Sequence, residues 1–546
     1  MSNAKSMIDV AIVGAGPVGL TLAMALARYG VRSTVFESRA EGEPTTVRCN
    51  HVSSRSMEVF RWLGIAAAVR DAGLPADHAH DVAFRSTAVA ADFARIRIPG
   101  RAGRQRGEPG VDQDWPTPEP PHRVNQKYLE PVMVAAAHRV PALTLRYGCT
   151  VRTLDPGDDS VCLHVERSDG VVEQVDARYV VGCDGARSLV RQRMGARYEG
   201  DAVVQRVQST VIEAPRLQAL MASEPAWGTI NLNPRRSGTL YAIDGERTWL
   251  VHNYLRPHET DFDAIDRMAS IRTILGVGED FAFEVVQNED WIGRRLVVDK
   301  MREGRLFLAG DAAHIWVPYA GYGMNAGIAD AMNLAWCLAA RVNGWGGPGC
   351  LDAYAAERHP ITEQVSRFAM RHAEQMIAKR GAVPSEIEDT GPAGDEARRS
   401  FGEHCVTLNV AQYACTGLNY GYFYTGSPII AYDDGQAPAY SMDEYSPSTV
   451  PGCRLPDPWL GDGEPILDRL GAGYTVLRYD RDIDLDQGLR ASSMYDLPIS
   501  ALDVERAAPE GWPLLIVRPD LHIVWRGKRL PGQGDRLWRI LAGRDV

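Results

Sequence analysis

The sequence has few cysteines, and those it has follow no pattern. Nine are scattered along 546 residues, and no two show the CxxC or CxxxxC spacing that a zinc site or a dithiol redox centre requires. We therefore expect no disulfide framework and no metal site. Nine thiols without such a framework fit a reducing, cytoplasmic compartment.

Two further absences narrow the function. No apolar run reaches 18 residues, so no membrane span is predicted, and the first apolar stretch, from Ile8, is typical of a strand rather than a signal peptide. The net charge of −11 argues against nucleic-acid binding, which usually needs a basic face. The composition is that of an ordinary globular protein, and the length predicts about three domains.

The N-terminal segment predicts a nucleotide-binding turn. The sequence GAGPVG stands between a short β-branched run at 9–13 and a helical run at 20–29. In this order Gly14 permits a tight turn, Gly16 lets the backbone approach a pyrophosphate, and Gly19 lets helix and strand pack closely. Backbone N–H groups at the helix start supply a site for anionic phosphates.

A carboxylate completes this pattern. Glu37 ends the second strand, 31–37, where it can accept hydrogen bonds from both ribose hydroxyls. Together the turn and the carboxylate predict binding of an ADP moiety. The alternative is a glycine-rich turn that only packs.

Two more strands lead into acidic residues. The run 179–183 precedes Asp184, and the run 304–310 precedes Asp311. A carboxylate just after a strand, beside small residues, can accept a hydroxyl of a sugar chain while the backbone comes close. A helix start at 323–325 can offer N–H groups to a polarised carbonyl.

These three motifs, in this order, resemble those of the single-component (class A) FAD-dependent aromatic hydroxylases, the para-hydroxybenzoate and phenol hydroxylase superfamily. The resemblance covers about residues 1–375. It implies an α/β fold with two interleaved domains. A Rossmann-like FAD-binding domain takes 5–80, 100–195 and 296–400, and a mostly antiparallel β-sheet substrate domain takes 81–99 and 196–295.

The last part of the chain resembles the thioredoxin-like C-terminal domain of the larger phenol and polyketide hydroxylases. The resemblance rests on 451–460 and 513–526 and implies a third α/β domain at 401–546. This domain has no CxxC, so it cannot perform dithiol chemistry. We expect it to have a structural role or to form contacts in a homodimer. The Arg-Pro-Asp turn at 518–520, between two apolar runs, predicts a hairpin.

The resemblance also implies site residues. Those carried over to the FAD site are Gly14, Gly16, Gly19, Glu37, Arg48, Gln126, Asp184, Asp311, Gly323, Met324 and Asn325. Asp184 and Arg187 correspond to NAD(P)H-binding positions, and Pro318 to a proline that lines the site near the flavin. Ala320 stands where relatives often have glycine, so the loop over the flavin can differ in detail.

Several of these residues have a plainer interpretation. Asp184 can cap the helix that follows it, Arg187 can be a solvated charge, and Met324 can serve mainly in packing. We expect His314, which comes soon after the Gly-Asp motif, to be structural rather than catalytic.

The catalytic base is less clearly indicated. Some phenol-hydroxylating relatives carry an aspartate soon after the position of Arg48, where this sequence has Asn50 and then His51. Asparagine cannot take a proton, so either His51 does so or no protein base is used. The alternative for His51 is a helix-capping or packing role.

Three residues of the predicted substrate sheet are candidates to contact the substrate. Tyr241, His252 and Tyr254 lie on runs that alternate in the manner of strands. Some of them should face the flavin, but the sequence does not fix the register of the strands.

The resemblance implies an FAD-dependent monooxygenase that uses NADPH or NADH and O2. It would hydroxylate a phenolic or polycyclic aromatic, polyketide-like substrate through a flavin C4a-hydroperoxide. One alternative is Baeyer–Villiger oxidation or epoxidation by the same intermediate. An alternative of another class is a non-catalytic flavin-binding or partner-docking protein. The chain lacks the WxWxIP signature of flavin halogenases and the CxxxxC of disulfide reductases.

Overall fold

Strands and helices alternate along the chain and form three sheets. The computed structural model describes residues 7–44, 47, 49–112, 115–317 and 321–545. The strands are β1 (Ile8–Val13), β2 (Ser33–Phe36), β3 (Val82–Arg85), β4 (Ala94–Ile96), β5 (Leu143–Arg146), β6 (Cys149–Pro156), β7 (Val161–Arg167), β8 (Val172–Gly182), β9 (Tyr198–Glu213), β10 (Gly228–Asn231), β11 (Gly238–Ala242), β12 (Thr248–Tyr254), β13 (Glu284–Asn288), β14 (Trp291–Val298), β15 (Arg302–Glu303), β16 (Leu306–Leu308), β17 (His314–Ile315), β18 (Tyr474–Arg478), β19 (Ile499–Asp503), β20 (Leu514–Val517) and β21 (Ile523–Gly527). The helices are α1 (Pro17–Arg28), α2 (Ser54–Trp62), α3 (Ala66–Asp71), α4 (Arg101–Gln105), α5 (Gln126–Ala137), α6 (Leu189–Arg193), α7 (Leu217–Leu220), α8 (Arg267–Leu275), α9 (Tyr322–Val342), α10 (Gly349–Gly381), α11 (Pro392–Tyr413), α12 (Asp486–Ser493) and α13 (Arg536–Leu541).

The first sheet has the parallel core that the N-terminal motif predicts. Its strand order is β15-β16-β8-β1-β2-β5, and β6 and β7 extend it through β8. Strand β1 pairs in parallel with both β2 and β8, and residues 10–12 are fully buried. A strand covered on both faces needs a continuous apolar run, which explains the β-branched sequence there. The predicted α/β class is confirmed.

The second sheet is mostly antiparallel, as predicted. Its order is β17-β14-β9-β12-β11-β10-β3-β4, with β13 also paired to β9. Only β3 and β10 run in parallel among its assigned pairs. Strand β17 follows directly after the turn that carries Asp311, so this short strand joins the end of the first sheet to the edge of the second.

Two long helices link the sheets. Helix α9 packs against α1, and α10 runs on from the first sheet until its last turns reach the second. Helix α11 begins at Pro392 and crosses the boundary at residue 400 that the sequence predicts. It packs on β4 of the second sheet, where Gly402 lies against Phe93. Within the described residues, no helix combines the length and apolar composition needed to cross a membrane.

The C-terminal sheet has the order β19-β18-β20-β21, with β18 and β19 parallel and the other pairs antiparallel. The predicted hairpin is present, because residues 518–522 connect the antiparallel strands β20 and β21. None of the nine cysteines, all of which belong to the described part of the chain, forms a disulfide. The thioredoxin-like character of this region stays a prediction.

Buried ion pairs join this C-terminal part to the rest. The Arg518 guanidinium donates to both carboxylate oxygens of Glu357 on α10, at 2.8 and 3.0 Å. Arg454 binds Glu58 on α2 in the same two-point way, at 3.1 and 2.6 Å. All four side chains are almost completely buried. Buried charges of this kind are stable only as pairs, so each partner depends on the other.

We expect the change Glu357→Gln to lower the free energy of unfolding by about 3 kcal/mol, because it removes one of the two carboxylates, Glu357 and Asp520, that neutralise the buried Arg518. The same change at Glu464, whose partner Arg469 is 3.3 Å away and half exposed, should cost under about 0.5 kcal/mol. Urea denaturation of both variants checks this. Equal losses of unfolding free energy at the two sites would contradict the conclusion that the buried pair holds the C-terminal part to α10.

Candidate active site

Two of the three glycines in the turn are closely packed against backbone, and the third faces open space. Gly14 has a φ of +105°, and a Cβ there would collide with the carbonyl oxygen of Cys183. A Cβ on Gly19 would collide with the carbonyl oxygen of Gly14. At Gly16 a Cβ would meet no protein atom within 4 Å, and this residue lines the large cavity described below. The turn therefore leaves room for a ligand beside Gly16 only.

Glu37 stands at the end of β2 as an acceptor. Its carboxylate accepts hydrogen bonds from the backbone N–H groups of Ala15 at 2.8 Å and Arg39 at 2.9 Å. Burial alone would raise the pKa of Glu37, but the hydrogen bonds from Arg39 and Ala15 lower it overall. The group is thus ionised at neutral pH, and it also accepts from the Arg39 side chain at 3.1 and 3.4 Å, so a ribose hydroxyl would take the place of one of these longer contacts.

A cavity of about 600 Å³ extends from this turn to the second sheet. Volumes in this range are typical of sites for cofactors and drug-sized ligands. The predicted residues that line its nucleotide end are Gly16, Gln126, Arg187, Asp311, Gly323 and Met324. The carboxyl ends of β1, β8 and β16 meet at this end, which is where open parallel sheets bind their ligands.

The Asp311 turn is held from behind by Asp330 of α9. The fully buried Asp330 carboxylate accepts hydrogen bonds from the Gly310 N–H at 3.2 Å, from Nε2 of His314 at 2.6 Å and from Nε of Arg358 at 2.9 Å. Burial would raise the pKa of Asp330, but the charges and hydrogen bonds of His314 and Arg358 lower it. The turn therefore rests on a buried, ionised group.

His314 has the structural role that the sequence favours. It is 1% exposed, binds Asp330 and stacks on Trp316, with ring centres 4.6 Å apart. Trp316 lines the cavity, whereas His314 does not. His314 thus connects Asp330 to Trp316 and helps to position this ring in the cavity wall.

Asp184 caps a helix. Its Oδ2 accepts from the N–H groups of Leu189 at 2.7 Å and Val190 at 3.3 Å, and burial raises its pKa. Its Oδ1 has no partner among the described residues. The neighbouring Cys183 and the exposed Arg187 line the cavity, but Asp184 does not. A direct role of Asp184 toward the cofactors or NAD(P)H stays a prediction.

Asn325 holds the segment that carries His51. Its Oδ1 accepts from the Ser53 N–H at 2.8 Å, and its Nδ2 donates to the His51 carbonyl at 3.0 Å. Its neighbours Gly323 and Met324 line the cavity, whereas Asn325 does not. Asn325 therefore supports the cavity from behind rather than facing into it.

His51 is 8% exposed and lines the cavity beside Asn50. It does not cap α2, because that cap is the hydroxyl of Ser53, which accepts from the Ser56 N–H. Nδ1 of His51 has no hydrogen-bond partner among the described residues. His51 is therefore a cavity-lining residue, but its Nδ1 is itself buried. The other predicted residues here, Arg48, Pro318 and Ala320, lie outside the described residues.

The strand register places all three predicted substrate residues on one face. His252 pairs with Thr239 of β11, so Tyr241 and Tyr254 lie on the same side as His252. All of them line the cavity. Burial lowers the pKa of His252 to about 4, so this histidine is neutral at pH 7.

The far wall of the cavity is aromatic and includes residues that no sequence motif predicts. Trp227 packs on Tyr241 with ring centres 5.0 Å apart. From α10, the Arg380 guanidinium lies 4.1 Å from the ring centre of Tyr254. The other unpredicted lining residues of this wall include Trp291, Trp316, Met376, Asn409, Gln412 and Tyr413. No local motif marks them, because they converge only when α10 and α11 pack on the sheet.

The site thus fits an adenine dinucleotide whose second half enters a larger chamber. In such a ligand the pyrophosphate lies between a ribose and a polyol chain, and we expect Glu37 to meet the ribose, Gly16 the pyrophosphate and Asp311 the polyol chain. Among the described residues, no group of three or more potential metal ligands occurs.

Known proteins share this arrangement. A family model described as FAD binding domain matches residues 7–369. The chain is 30% identical to the FAD-dependent monooxygenase apdD of Emericella nidulans, over 98% of this chain and 90% of that protein. It is 30% identical to the 6-methylpretetramide 4-monooxygenase of Streptomyces rimosus, over 95% of this chain and 91% of that protein. The solved structure of the rebeccamycin biosynthetic enzyme RebC with reduced flavin has a TM-score of 0.88 at 29% identity, covering 99% of this chain and 100% of RebC.

We expect the change Gly16→Ala to weaken FAD binding about 10-fold or more, because the added methyl occupies the space left for the pyrophosphate. Gly381→Ala is the matched control, since a Cβ at Gly381 also meets no protein atom within 4 Å. Flavin fluorescence quenching gives the dissociation constants, and thermal unfolding without added FAD gives stability. Wild-type FAD affinity in Gly16→Ala would contradict the assignment.

Buried neutral His252 should also make stability depend on pH. Its pKa of about 4 lies below that of an unfolded histidine, so the unfolded state binds more protons between about pH 6.5 and 4. The free energy of unfolding should therefore fall as pH drops through this window, by about 2 kcal/mol at pH 5 from His252 alone.

The variant His252→Gln should lose this part of the pH dependence, as measured by urea denaturation at pH 8 and pH 5. His404→Gln, at an exposed position on α11, is the control and should keep the wild-type slope. An unchanged slope in His252→Gln would contradict the lowered pKa, because it would show that His252 binds protons equally well in the folded and unfolded states.

Proposed function

We propose that this chain, which belongs to the FAD binding domain family and is a flavoprotein monooxygenase like its relatives, hydroxylates an aromatic substrate. The substrate that we propose is a phenolic, polycyclic compound of polyketide type. The observation that carries the proposal is the single continuous cavity. One end has Gly16 and the small residues near Asp311, with Glu37 bound to the Ala15 N–H of the same turn, and the other end is walled by aromatic rings.

The aromatic wall supports a flat, multi-ring substrate. Trp227, Tyr241 and Trp291 offer ring faces and edges, which favour stacked or edge-on contacts with another aromatic system. His252 is uncharged there at neutral pH, so it adds polarity without adding charge. The Streptomyces rimosus relative named above is a 6-methylpretetramide 4-monooxygenase, which supports a substrate of this class.

Bound FAD, reduced by NADPH or NADH, supplies the activation of O2 for transfer of one oxygen atom. Gly16 and Glu37 would hold its ADP part, and Asp311, Gly323 and Met324 the part nearer the substrate chamber. The exposed Arg187 at the cavity wall is the residue that we propose for the phosphate of NAD(P)H. The buried walls keep water from the reacting atoms.

His51 is the proposed proton acceptor. The residue lines the cavity, and its buried Nδ1 is not used by another residue that the structure describes, so the ring has a nitrogen left to accept a proton. Removing the phenolic proton increases electron density on the ring, which favours attack on an electrophilic oxygen. Asn325 fixes the position of His51 through the backbone carbonyl, so it acts as a positioning residue.

We propose a structural role for the C-terminal part, because buried ion pairs tie it to α2 and α10 and its cysteines are unpaired. A homodimer and a cytoplasmic location belong to the same proposal. The nine cysteines form no disulfide, and thiols persist in a reducing environment, which supports the proposed compartment.

The test is a screen of phenols, hydroxyanthraquinones and related tricyclic ketones for stimulated oxidation of NADPH and NADH by FAD-loaded protein. We expect at least one polycyclic phenol to stimulate the rate about 10-fold or more, because binding of a correct substrate can favour the reactive arrangement of a site by such a factor. We also expect it to yield a product heavier by one oxygen atom. Product structure separates ring hydroxylation from Baeyer–Villiger oxidation or epoxidation. Yellow protein that no aromatic stimulates would instead indicate a non-catalytic flavin-binding role.

A further inference from the structure

One buried cation has no part in the site described so far. Five arginine side chains among the described residues are at most 2% exposed. Four of them meet a carboxylate, in the pairs Arg85–Asp92, Arg358–Asp330, Arg454–Glu58 and Arg518–Glu357. The fifth is Arg123. Its three guanidinium nitrogens are buried without a hydrogen-bond partner in the described part of the chain.

Aromatic rings surround the Arg123 guanidinium. Its central carbon lies 4.6 Å from the ring centre of Trp227 and 5.7 Å from that of Tyr413. Burial lowers the pKa of Arg123 to about 10, which leaves it a cation at neutral pH. The titratable groups that face it are phenols and thiols rather than carboxylates, namely Cys49, Tyr241, Tyr322, Tyr413 and Cys415.

The cation lies directly behind the cavity wall. Trp227, Tyr241 and Tyr413 line the cavity, whereas Arg123 does not, so these rings separate its charge from the space where a substrate lies. An unpaired charge in such surroundings is costly to bury. An apolar side chain of similar length would pack there without that cost, so the positive charge is the property that needs an explanation.

We propose that Arg123 makes the Trp227–Tyr413 end of the cavity selective for an aromatic substrate that carries an anionic oxygen, as a carboxylate or an ionised phenol. Arg123 is a specificity-determining residue that acts through its electric field, without touching the substrate. The inference rests on the proposed function only for the aromatic nature of the substrate, and it narrows that class to acidic members.

The size of the effect follows from the geometry. A substrate stacked on the cavity side of the rings would place its oxygen about 8 Å from the guanidinium. At an effective dielectric constant of about 20, this attraction corresponds to about 30-fold in affinity. The same field would favour ionisation of a bound phenol.

Two matched pairs of tricyclic probes test the proposal on FAD-loaded protein. The phenol pair is 2-hydroxyanthraquinone and 2-methoxyanthraquinone, and the carboxylate pair is anthraquinone-2-carboxylate and its carboxamide. Quenching of tryptophan fluorescence gives the dissociation constants. Wild-type protein should favour the anionic member of at least one pair by about 10-fold or more, and the two pairs show which anionic group is selected.

The variant Arg123→Met should weaken binding of the selected anion about 10- to 30-fold and change binding of its neutral partner less than about 3-fold. Arg123→Lys keeps the charge and should retain most of the preference. Arg28→Met is the control, because it removes a similar contact, 4.3 Å from the Trp62 ring centre, that lies outside the cavity lining. It should leave both members unchanged.

Ionisation of the bound phenol gives a second readout that a purely structural role would not move. The visible absorption of 2-hydroxyanthraquinone changes on ionisation, and in Arg123→Met this change should move to higher pH by about one pH unit. Wild-type protein that does not distinguish the members of either pair would overturn the proposal. So would equal losses for both members in Arg123→Met. A preference for the anionic probe without any hydroxylated product would support the role of Arg123 in selectivity and contradict the proposed function.

Discussion

A single buried carboxylate, Asp330, fixes the region where the two large sheets meet. It holds the Gly310 amide, the His314 ring and the Arg358 guanidinium at once. These three groups belong to the turn before Asp311, to the edge strand of the second sheet and to the helix α10, respectively. Because a buried ionised carboxylate is tolerated only with such partners, the three elements keep a fixed relation to α9. The cofactor end and the substrate end of the cavity are aligned as a result.

The cavity combines two different environments. At the dinucleotide end, backbone N–H groups and small residues suit an anionic, polar ligand. At the other end, rings dominate, and the titratable His252 is held neutral by burial. The charge of Arg123 lies behind those rings. A chamber walled largely by rings, with a buried cation behind them, is suited to binding an aromatic system and to exposing its electron-rich ring to oxygen transfer.

The sequence predicts best what is encoded in neighbouring residues. The glycine turn, Glu37 and the Gly-Asp turn are identifiable because their spacing itself determines their geometry. The common face of Tyr241, His252 and Tyr254 cannot be identified from the sequence, because it depends on how the strands pair and the sequence does not fix that register.

Other parts of the site depend on long-range packing. The contributions of α10 and α11 arise from helices that carry no motif for cavity contact. Asn325 and Asp184 occur within family motifs, yet their side chains serve as a brace and a helix cap in this structure. Arg123 stands three residues before the predicted Gln126, but only its missing carboxylate partner distinguishes it, and that absence is visible only in three dimensions.

The central claim is that oxygen from O2 enters an aromatic substrate within this one cavity. The most direct measurement is turnover of a stimulating polycyclic phenol under 18O2, with mass spectrometry of the product and its fragments. We expect one labelled oxygen atom attached to the aromatic system for each product molecule. Oxygen derived from water, or oxidation of the substrate without any incorporated label, would contradict the claim.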